Sequence, residues 1–152
     1  MSAPSRHRVL VVDDEADIRT VVGLNLSLAG LDFCEASNGA EGLGILESSE
    51  WDACILDLMM PDSDGLDVLR QLSPNAKDDL AIIVLSAKGS PAAAIEALQL
   101  GAHAHLTKPF SPGAVAQVVE ELISISPQER EIRRLDAIAR AGQLQRLGIP
   151  TV

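Results

Sequence analysis

The chain has 152 residues, of which 47% are hydrophobic and 2% aromatic, so it is long enough for one domain with an aliphatic core and too apolar for wholesale disorder. Its net charge of −10 disfavours direct binding to nucleic-acid phosphates, although ordinary surface charge accounts for most of the acids. No segment approaches the roughly 18 apolar residues of a membrane span, and the N-terminus lacks a signal-peptide core, so we expect no membrane insertion and a cytoplasmic location.

After a polar, flexible leader (residues 1–7), short apolar segments alternate with helical ones. We predict strands at 9–12 (opened by Arg8), 31–36, 53–57, 81–85 and 103–106. We predict helices at 16–29, from Asn38 through Leu46, at 66–72, at 91–100 and at 112–125. This βα alternation is typical of an α/β fold with a parallel sheet and right-handed crossovers.

Local signals support several of these helix boundaries. Gly30 is placed to end the first helix, and Asn38 with Glu41 forms a capping box at the start of the second. Pro91 and Pro112 stand where the first turn of a helix accepts proline. The turn at 107–110 precedes the last helix of the alternating part.

The two cysteines, Cys34 and Cys54, fall in the predicted second and third strands. Their spacing supports neither a disulfide framework nor a zinc site. We therefore expect both to behave as small buried apolar residues.

The C-terminal segment, 127–152, differs in character from the rest. It carries a net charge of +2 against −12 for residues 1–126, and Ser126-Pro127-Gln128-Glu129 predicts the start of another helix. Gly148 and Pro150 would end that helix. It either docks on its own domain or acts as a dimerising or linker helix, and the sequence leaves both open. Its apolar stripe consists of Ile132, Leu135, Ile138, Leu144 and Leu147, with Arg133, Arg134, Arg140 and Arg146 beside it.

Five chemically active side chains occur where predicted strands end. Asp13 and Asp14 follow the first strand, Asp57 ends the third, Ser86 follows the fourth and Lys108 follows the fifth. The carboxyl ends of parallel strands meet at one edge of a sheet, so these groups should converge. Crowded carboxylates suit a cation, and all-oxygen ligation favours Mg²⁺. With an ammonium and a hydroxyl they suit a phosphoryl group, and a carboxylate can accept that group as an aspartyl phosphate.

Those five residues and the sequence motifs around them resemble the receiver domain of bacterial two-component response regulators. The resemblance covers residues 8–126. The matching motifs are Val-Val-Asp-Asp-Glu, Asp57-Leu-Met-Met-Pro61 with Asp64-Gly65, Leu-Ser86-Ala87 and Leu-Thr-Lys108-Pro109-Phe110. The resemblance implies a flavodoxin-like (βα)5 three-layer sandwich with strand order 2-1-3-4-5, here extended by a C-terminal helix.

The resemblance also implies a role for each site residue. Asp57 would accept a phosphoryl group from a phosphohistidine on a sensor histidine kinase or a histidine phosphotransfer protein. Asp14, Asp57 and the backbone carbonyl of Met59 would bind Mg²⁺, and Asp13 would act through water. Lys108 would pair first with Asp57 and then with the phosphoryl oxygens, and Ser86 would swing toward that group as a switch. The Lys108–Pro109 peptide is often cis in this family.

The chain departs from the family pattern in two places. His105 stands where a Tyr or Phe usually turns inward on activation, so either switching there is weaker, altered or pH-sensitive, or His105 is an ordinary surface histidine of the strand. The helix at 91–100 carries one charge, Glu96, and the last receiver helix shows only Glu120 and Glu121. We therefore expect an apolar partner contact on this face rather than a network of ion pairs. Met59 and Lys88 would set the phosphoryl lifetime.

We interpret the chain as a phosphorylation-switched receiver that signals by binding a downstream protein, without separate substrate turnover; its C-terminal helix would be available for a homodimer. One alternative is a receiver cut from a longer DNA-binding or enzymatic regulator. A phosphate-independent binding module is a second alternative. A third, a phosphatase with an Asp nucleophile, needs a second Asp two residues after a nucleophile on the first strand. Asp13-Asp14-Glu15 does not supply that spacing.

Overall fold

A central sheet of five parallel strands organises the molecule. The structure, a computed structural model, describes residues 6–61, 63–72, 79–87 and 91–147. The strands run in the order β2-β1-β3-β4-β5, as expected. They are β1 (Arg8–Val12), β2 (Asp32–Ala36), β3 (Ala53–Asp57), β4 (Ala81–Ala87) and β5 (Ala104–Lys108).

Six helices accompany the sheet within the described ranges. They are α1 (Ala16–Leu28), α2 (Gly39–Ser48), α3 (Gly65–Gln71), α4 (Pro91–Gln99), α5 (Pro112–Ile123) and α6 (Pro127–Arg146). Met59–Met60 pairs with Ser63–Asp64 as a short antiparallel bridge just before α3. None of the helices described is both long enough and apolar enough to cross a bilayer.

Two hydrophobic cores lie on opposite faces of the sheet, because successive side chains of a strand point to opposite sides. On one face Leu10, Leu56 and Ile82 pack with residues of α2, α3 and α4. On the other face, Ile55 and Ile83 pack with residues of α1 and α5. The resulting three layers confirm the predicted sandwich and place every strand's carboxyl end at the same edge.

The predicted local signals are confirmed where the structure describes them. Gly30 has a φ of 84°, the left-handed conformation that ends a helix, and the Asn38 side chain accepts a hydrogen bond from the N–H of Glu41. Ser126 Oγ accepts from the N–H of Glu129 at 3.1 Å, which confirms the start of α6. The predicted helix end at Gly148 and Pro150, and Lys88 with its expected effect on the phosphoryl lifetime, lie outside the described residues.

Three predictions about the strands need correction. β4 and β5 extend two residues beyond the predicted ends, because Ser86 pairs with Thr107 and Ala87 with Lys108. Ser86 and Lys108 therefore belong to their strands rather than to the loops after them. Cys54 is buried as expected, but Cys34 is exposed because β2 is an edge strand whose outer side is largely uncovered.

The C-terminal helix α6 docks on the domain through a face that shares only Ile138 with the described part of the predicted apolar stripe. Ile132 and Leu135 are 67% and 53% exposed, whereas Ala137 and Ile138 pack against the core that contains Leu98. Apart from Ile138, small residues and arginines make this docked face, so a search for large apolar residues misses most of it. Of the N-terminal leader, the structure describes Arg6, which pairs with Asp32, and His7, which lies beside Asp52.

Candidate functional site

Two acidic residues follow β1 and take different positions. Asp13 is fully buried: its N–H donates to the carbonyl of Ala36, and its Oδ1 accepts from the N–H of Glu15 at 2.9 Å. Asp14 is exposed at the same turn. One carboxylate is therefore fixed by the backbone and the other is open to solvent.

Asp57 closes β3 and is held at the centre of the sheet edge. Its Oδ1 accepts from the N–H of Met59 at 3.0 Å, and the N–H of Leu58 donates to the carbonyl of Leu85. These two contacts fix the turn that follows the strand. The residue is only 1% exposed, because its neighbours cover both oxygens.

Lys108 brings an ammonium to these acids from the end of β5. Its Nζ donates to Asp57 Oδ2 at 3.2 Å and lies 3.1 Å from Asp13 Oδ2 and 3.5 Å from Glu15 Oε1. The Lys108–Pro109 peptide is cis, as the resemblance suggested. A single cation is thus shared among three carboxylates.

The cluster shifts the pKa of Asp13 and of Lys108. Burial raises the pKa of Asp13, the hydrogen bond from Glu15 N–H opposes this, and the nearby charge of Asp57 raises it further. Burial by itself would lower the pKa of Lys108, but the attraction of Asp57 and Asp13 outweighs it, so the pKa is raised. The ammonium therefore stays charged and partly neutralises the cluster.

The donor set suits a divalent cation. Asp13, Asp14 and Asp57 each offer a carboxylate oxygen, and these oxygens lie within 4.8 Å of one another. Asp13 Oδ2 is buried and, although Lys108 is near, has no partner with hydrogen-bond geometry in the described part of the chain. Oxygen ligands with a free lone pair are what Mg²⁺ requires.

Ser86 lies in β4 beside this cluster. It is 1% exposed, and its Oγ has no hydrogen-bond partner among the residues described. A buried hydroxyl without a partner carries a free-energy cost of about 1–3 kcal/mol. An added acceptor at the cluster would remove that cost.

Gly65, at the start of α3, is required by close approach to the site. A Cβ on this residue would lie 2.6 Å from the carbonyl oxygen of Asp57 and 2.9 Å from the Cα of Leu58. In the sequence, Asp64-Gly65 was recognised only as a motif shared with the receiver family. The structure gives its reason, because α3 begins directly against the turn that positions Asp57.

An open groove of about 870 Å³ runs beside the acids. Asp14, Glu15, Met59, Asp64 and Asp67 are among its walls, and the Met59 side chain is 58% exposed. The groove gives solvent access to the acidic edge of the site.

Sequence reasoning missed two residues that shape the cluster. Arg19 of α1 donates from Nη1 to the carbonyl of Asp13 at 2.7 Å and pairs through Nε with Glu35. Glu15 supplies the third carboxylate beside Lys108. The available signal was an Arg one helical turn after Glu15, which places both at the same end of α1.

His105 is not part of this cluster. It is half-buried on β5, and burial lowers its pKa. It lines a cavity of about 480 Å³ beneath α6, together with Leu98, Ala137 and Ala141. The five other predicted side chains meet at one edge, whereas His105 lies under the C-terminal helix.

Comparison with known proteins adds independent support. Residues 9–120 match the family model described as the response regulator receiver domain. The transcriptional regulatory protein ResD of Bacillus subtilis is 36% identical over 128 residues, which are 84% of this chain and 52% of ResD. The chain belongs to the response regulator receiver domain family.

Other relatives support the same family assignment. The alkaline phosphatase synthesis transcriptional regulatory protein PhoP of B. subtilis is 39% identical over 116 residues, which are 76% of this receiver and 48% of PhoP. The receiver domain of a Francisella response regulator superimposes with a TM-score of 0.71 at 32% identity, covering 78% of this chain and 98% of that one. The receiver spans about half the length of the curated relatives it matches, and those relatives are response and transcriptional regulators.

Proposed function

We propose that Asp57 is the phosphoryl acceptor of this receiver and that a phosphohistidine of a sensor histidine kinase or histidine phosphotransfer protein is the donor. The observation that carries this proposal is the meeting of Asp13, Asp14, Asp57 and Lys108 at one edge of the sheet, with a Lys108–Asp57 distance of 3.2 Å. Neither an isolated turn carboxylate nor a solvated lysine requires that arrangement.

In the transfer, one oxygen of Asp57 attacks phosphorus as the P–N bond of the donor breaks. The bonding pair returns to the imidazole nitrogen, and the product is a mixed anhydride on Asp57. The Asp57 oxygens are covered, so Lys108 must turn from Oδ2 toward the phosphoryl oxygens. Its side chain is 22% exposed and long enough to make that exchange. Each chain takes one phosphoryl group and turns over no separate substrate.

Mg²⁺ fits the donor set. Asp14, Asp57 and the carbonyl of Met59 would hold it, with Asp13 acting through water. When bound, it would neutralise charge that develops on the phosphoryl oxygens. Ser86 then gains an acceptor for its unpartnered hydroxyl, which supports its assignment as a switch residue.

The proposal is tested by incubating the protein with Mg²⁺ and acetyl phosphate and measuring intact mass. One phosphoryl group should be added to the wild type and none to Asp57→Asn. Asp32→Asn, at the opposite end of the sheet, is the matched control and should be labelled like the wild type. Stoichiometric labelling of Asp57→Asn would refute the assignment.

A second candidate follows from the length of the relatives, which at about 240–250 residues are roughly 1.6 times as long as this chain. In that case the receiver would control an output domain of a longer regulator, such as a DNA-binding domain. Detection of the protein in its native source with an antibody against the receiver separates the two. A band near 16 kDa supports the single-receiver function, and a band of roughly 1.6 times that mass supports the longer regulator.

A further inference from the structure

The helix α6 covers one particular surface of the receiver, which we call the α4–β5 face and define by Leu98 of α4 and His105 of β5. Arg134 donates from Nη1 to the carbonyl of Leu98 at 2.7 Å. Ala137 packs against the same core, and Ala141 is buried. The contact joins small apolar residues and an arginine of α6 to an almost uncharged helix.

An open groove lies between α6 and the α4–β5 face. It measures about 480 Å³ and is lined by His105 and Leu98 of that face and by Ala137, Ala141 and charged residues of α6. The helix therefore leaves a gap at His105, whereas its first turn is tightly held. There Arg130 is buried and donates to the carbonyls of Leu122 and, more weakly, Ile125.

The α4–β5 face connects directly to the phosphoryl site. His105 pairs with Val84, and two residues further along the same strands Thr107 pairs with Ser86. Alternation puts His105, Thr107 and Ser86 on one face of the sheet. α4, which holds α6 through Leu98, is the next helix after the strand that ends in Ser86 and Ala87, so a shift of Ser86 acts on the helix that holds α6 and on β5 beside it.

We propose that α6 is the intramolecular occupant of the α4–β5 face when Asp57 is unmodified, and that phosphorylation of Asp57 weakens its docking from Arg134 onward. This inference rests on the proposed function of Asp57. The buried Ser86 hydroxyl has no partner among the described residues until a phosphoryl group supplies one. Movement toward that group displaces α4 from the position that the Arg134–Leu98 bond and the Ala137 contact require. The vacated surface then fits another helix of the same chemistry, with small apolar residues and an arginine.

Coupling of this kind is reciprocal. If phosphorylation weakens the docking of α6, a change that weakens the docking must favour phosphorylation to the same extent. Typical coupling corresponds to a change of about fivefold or more. Both directions can be measured on the full chain.

The forward test combines intact mass with hydrogen exchange, with and without acetyl phosphate and Mg²⁺. Amides of residues 134–141 should exchange about fivefold faster in the phosphorylated protein, whereas those of 115–122 in α5 should not change. Full phosphorylation with unchanged exchange at 134–141 overturns the inference and leaves the proposed function intact. Failure to phosphorylate contradicts the proposed function, and the inference falls with it.

The reverse test compares Arg134→Met with Arg140→Met. Arg134→Met removes the bond to Leu98 and should lower the Kd for beryllofluoride, a mimic of the phosphoryl group, about fivefold when measured by calorimetry with Mg²⁺. Arg140 is 75% exposed and pairs within α6 with Asp136, so Arg140→Met should bind beryllofluoride like the wild type. Equal Kd values for the two variants contradict the coupling. Ala137→Glu, which opposes docking by charge burial, is the second variant if Arg134→Met does not fold, with the same expected result.

Discussion

At the scale of single residues, three carboxylates repel one another at the acidic edge of the sheet, and one lysine ammonium offsets part of that repulsion. Asp13, Asp14 and Asp57 bring three carboxylates within 4.8 Å, and Lys108 supplies one positive charge. Because like charges destabilise the folded state at this distance, a bound divalent cation should stabilise it.

We therefore expect Mg²⁺ to raise the melting temperature. A ligand at a hundredfold excess over its Kd adds about 2.7 kcal/mol, which corresponds to roughly 5–10 °C for a domain of this size. Thermal unfolding followed by circular dichroism should show this shift in the wild type and a much smaller one in Asp14→Ala. Asp32→Ala, far from the cluster, should keep the full shift. A melting temperature that does not change at saturating Mg²⁺ would count against the cation site.

Gly65 gives a second residue-scale prediction. Gly65→Ala should lower the free energy of unfolding by about 1–3 kcal/mol, because the new Cβ meets the backbone of Asp57 and Leu58, which cannot retreat as a side chain can. Gly44→Ala is the matched control, since Gly44 is exposed in α2 with nothing within 4 Å of its Cβ position. It should stabilise the protein by about 0.5–1 kcal/mol. Urea titrations of both variants decide this, and equal effects would contradict the packing argument.

At the scale of elements, the link between β4 and β5 depends on a buried histidine that sequence analysis did not single out. Nδ1 of His103 accepts a hydrogen bond from the N–H of Ile82 at 3.0 Å, just ahead of the paired part of β5. Burial and the nearby charges of Arg130 and Arg134 lower the pKa of His103 to about 4. The neutral ring is therefore part of the fold.

This pKa predicts a pH dependence of stability. The pKa of His103 is 6.5 in the unfolded state, so protonation favours that state. The contribution of His103 to the free energy of unfolding is therefore fully present above pH 6.5. It is lost as the pH falls toward 4, by about 1.4 kcal/mol per pH unit and about 3 kcal/mol in total. Urea unfolding between pH 5 and 7 should show this slope in the wild type and a shallower one in His103→Asn, which keeps an acceptor for Ile82. His7→Asn, an exposed position, should follow the wild type; a slope in His103→Asn equal to the wild-type slope would rule out this origin.

At the scale of the whole molecule, α6 joins the receiver through buried arginine contacts, alanines and Ile138, while Ile132 and Leu135 stay exposed. The guanidinium of Arg130 is 6% exposed and donates to the carbonyl of Leu122 at 3.1 Å and, at 3.4 Å, to that of Asp79 on another segment. Burial lowers its pKa, although Asp79 and Asp52 oppose this, so the group needs these carbonyls as partners. We propose on this basis that 127–147 folds with the domain.

Cooperative unfolding tests that proposal. Arg130→Met should lower the free energy of unfolding by about 1–3 kcal/mol, because the carbonyls lose their donor. Arg140→Met, an exposed pair within the helix, should change it by no more than about 0.5 kcal/mol. In the wild type, the unfolding curves from Trp51 fluorescence and from helix ellipticity should coincide. A separate early loss of helix would show that α6 is an independent appendage.

Two features could be inferred from the sequence. One is the order of strands and helices along the chain, and the other is the convergence of Asp13, Asp14, Asp57, Ser86 and Lys108. Strand periodicity and the position of each strand end are local properties, so both can be recognised from the residues alone. The bounds of β4 and β5 could not, since pairing between Ser86 and Thr107 extends both strands. The exposure of Cys34 follows from the edge position of β2, and the roles of Arg19, Gly65 and His103 follow from atoms distant in sequence.

The face by which α6 docks also depended on tertiary structure. Its sequence contains a stripe of large apolar residues and a second face of alanines and arginines, and amphipathicity alone favours the first. The receiver selects the second face together with Ile138 of the stripe. Arg134 and Arg130 donate to the carbonyls of Leu98 and Leu122, and Ala137 and Ile138 pack against the core. Local patterns fixed which segments form helices and strands, whereas contacts with the assembled domain decided how the last helix packs.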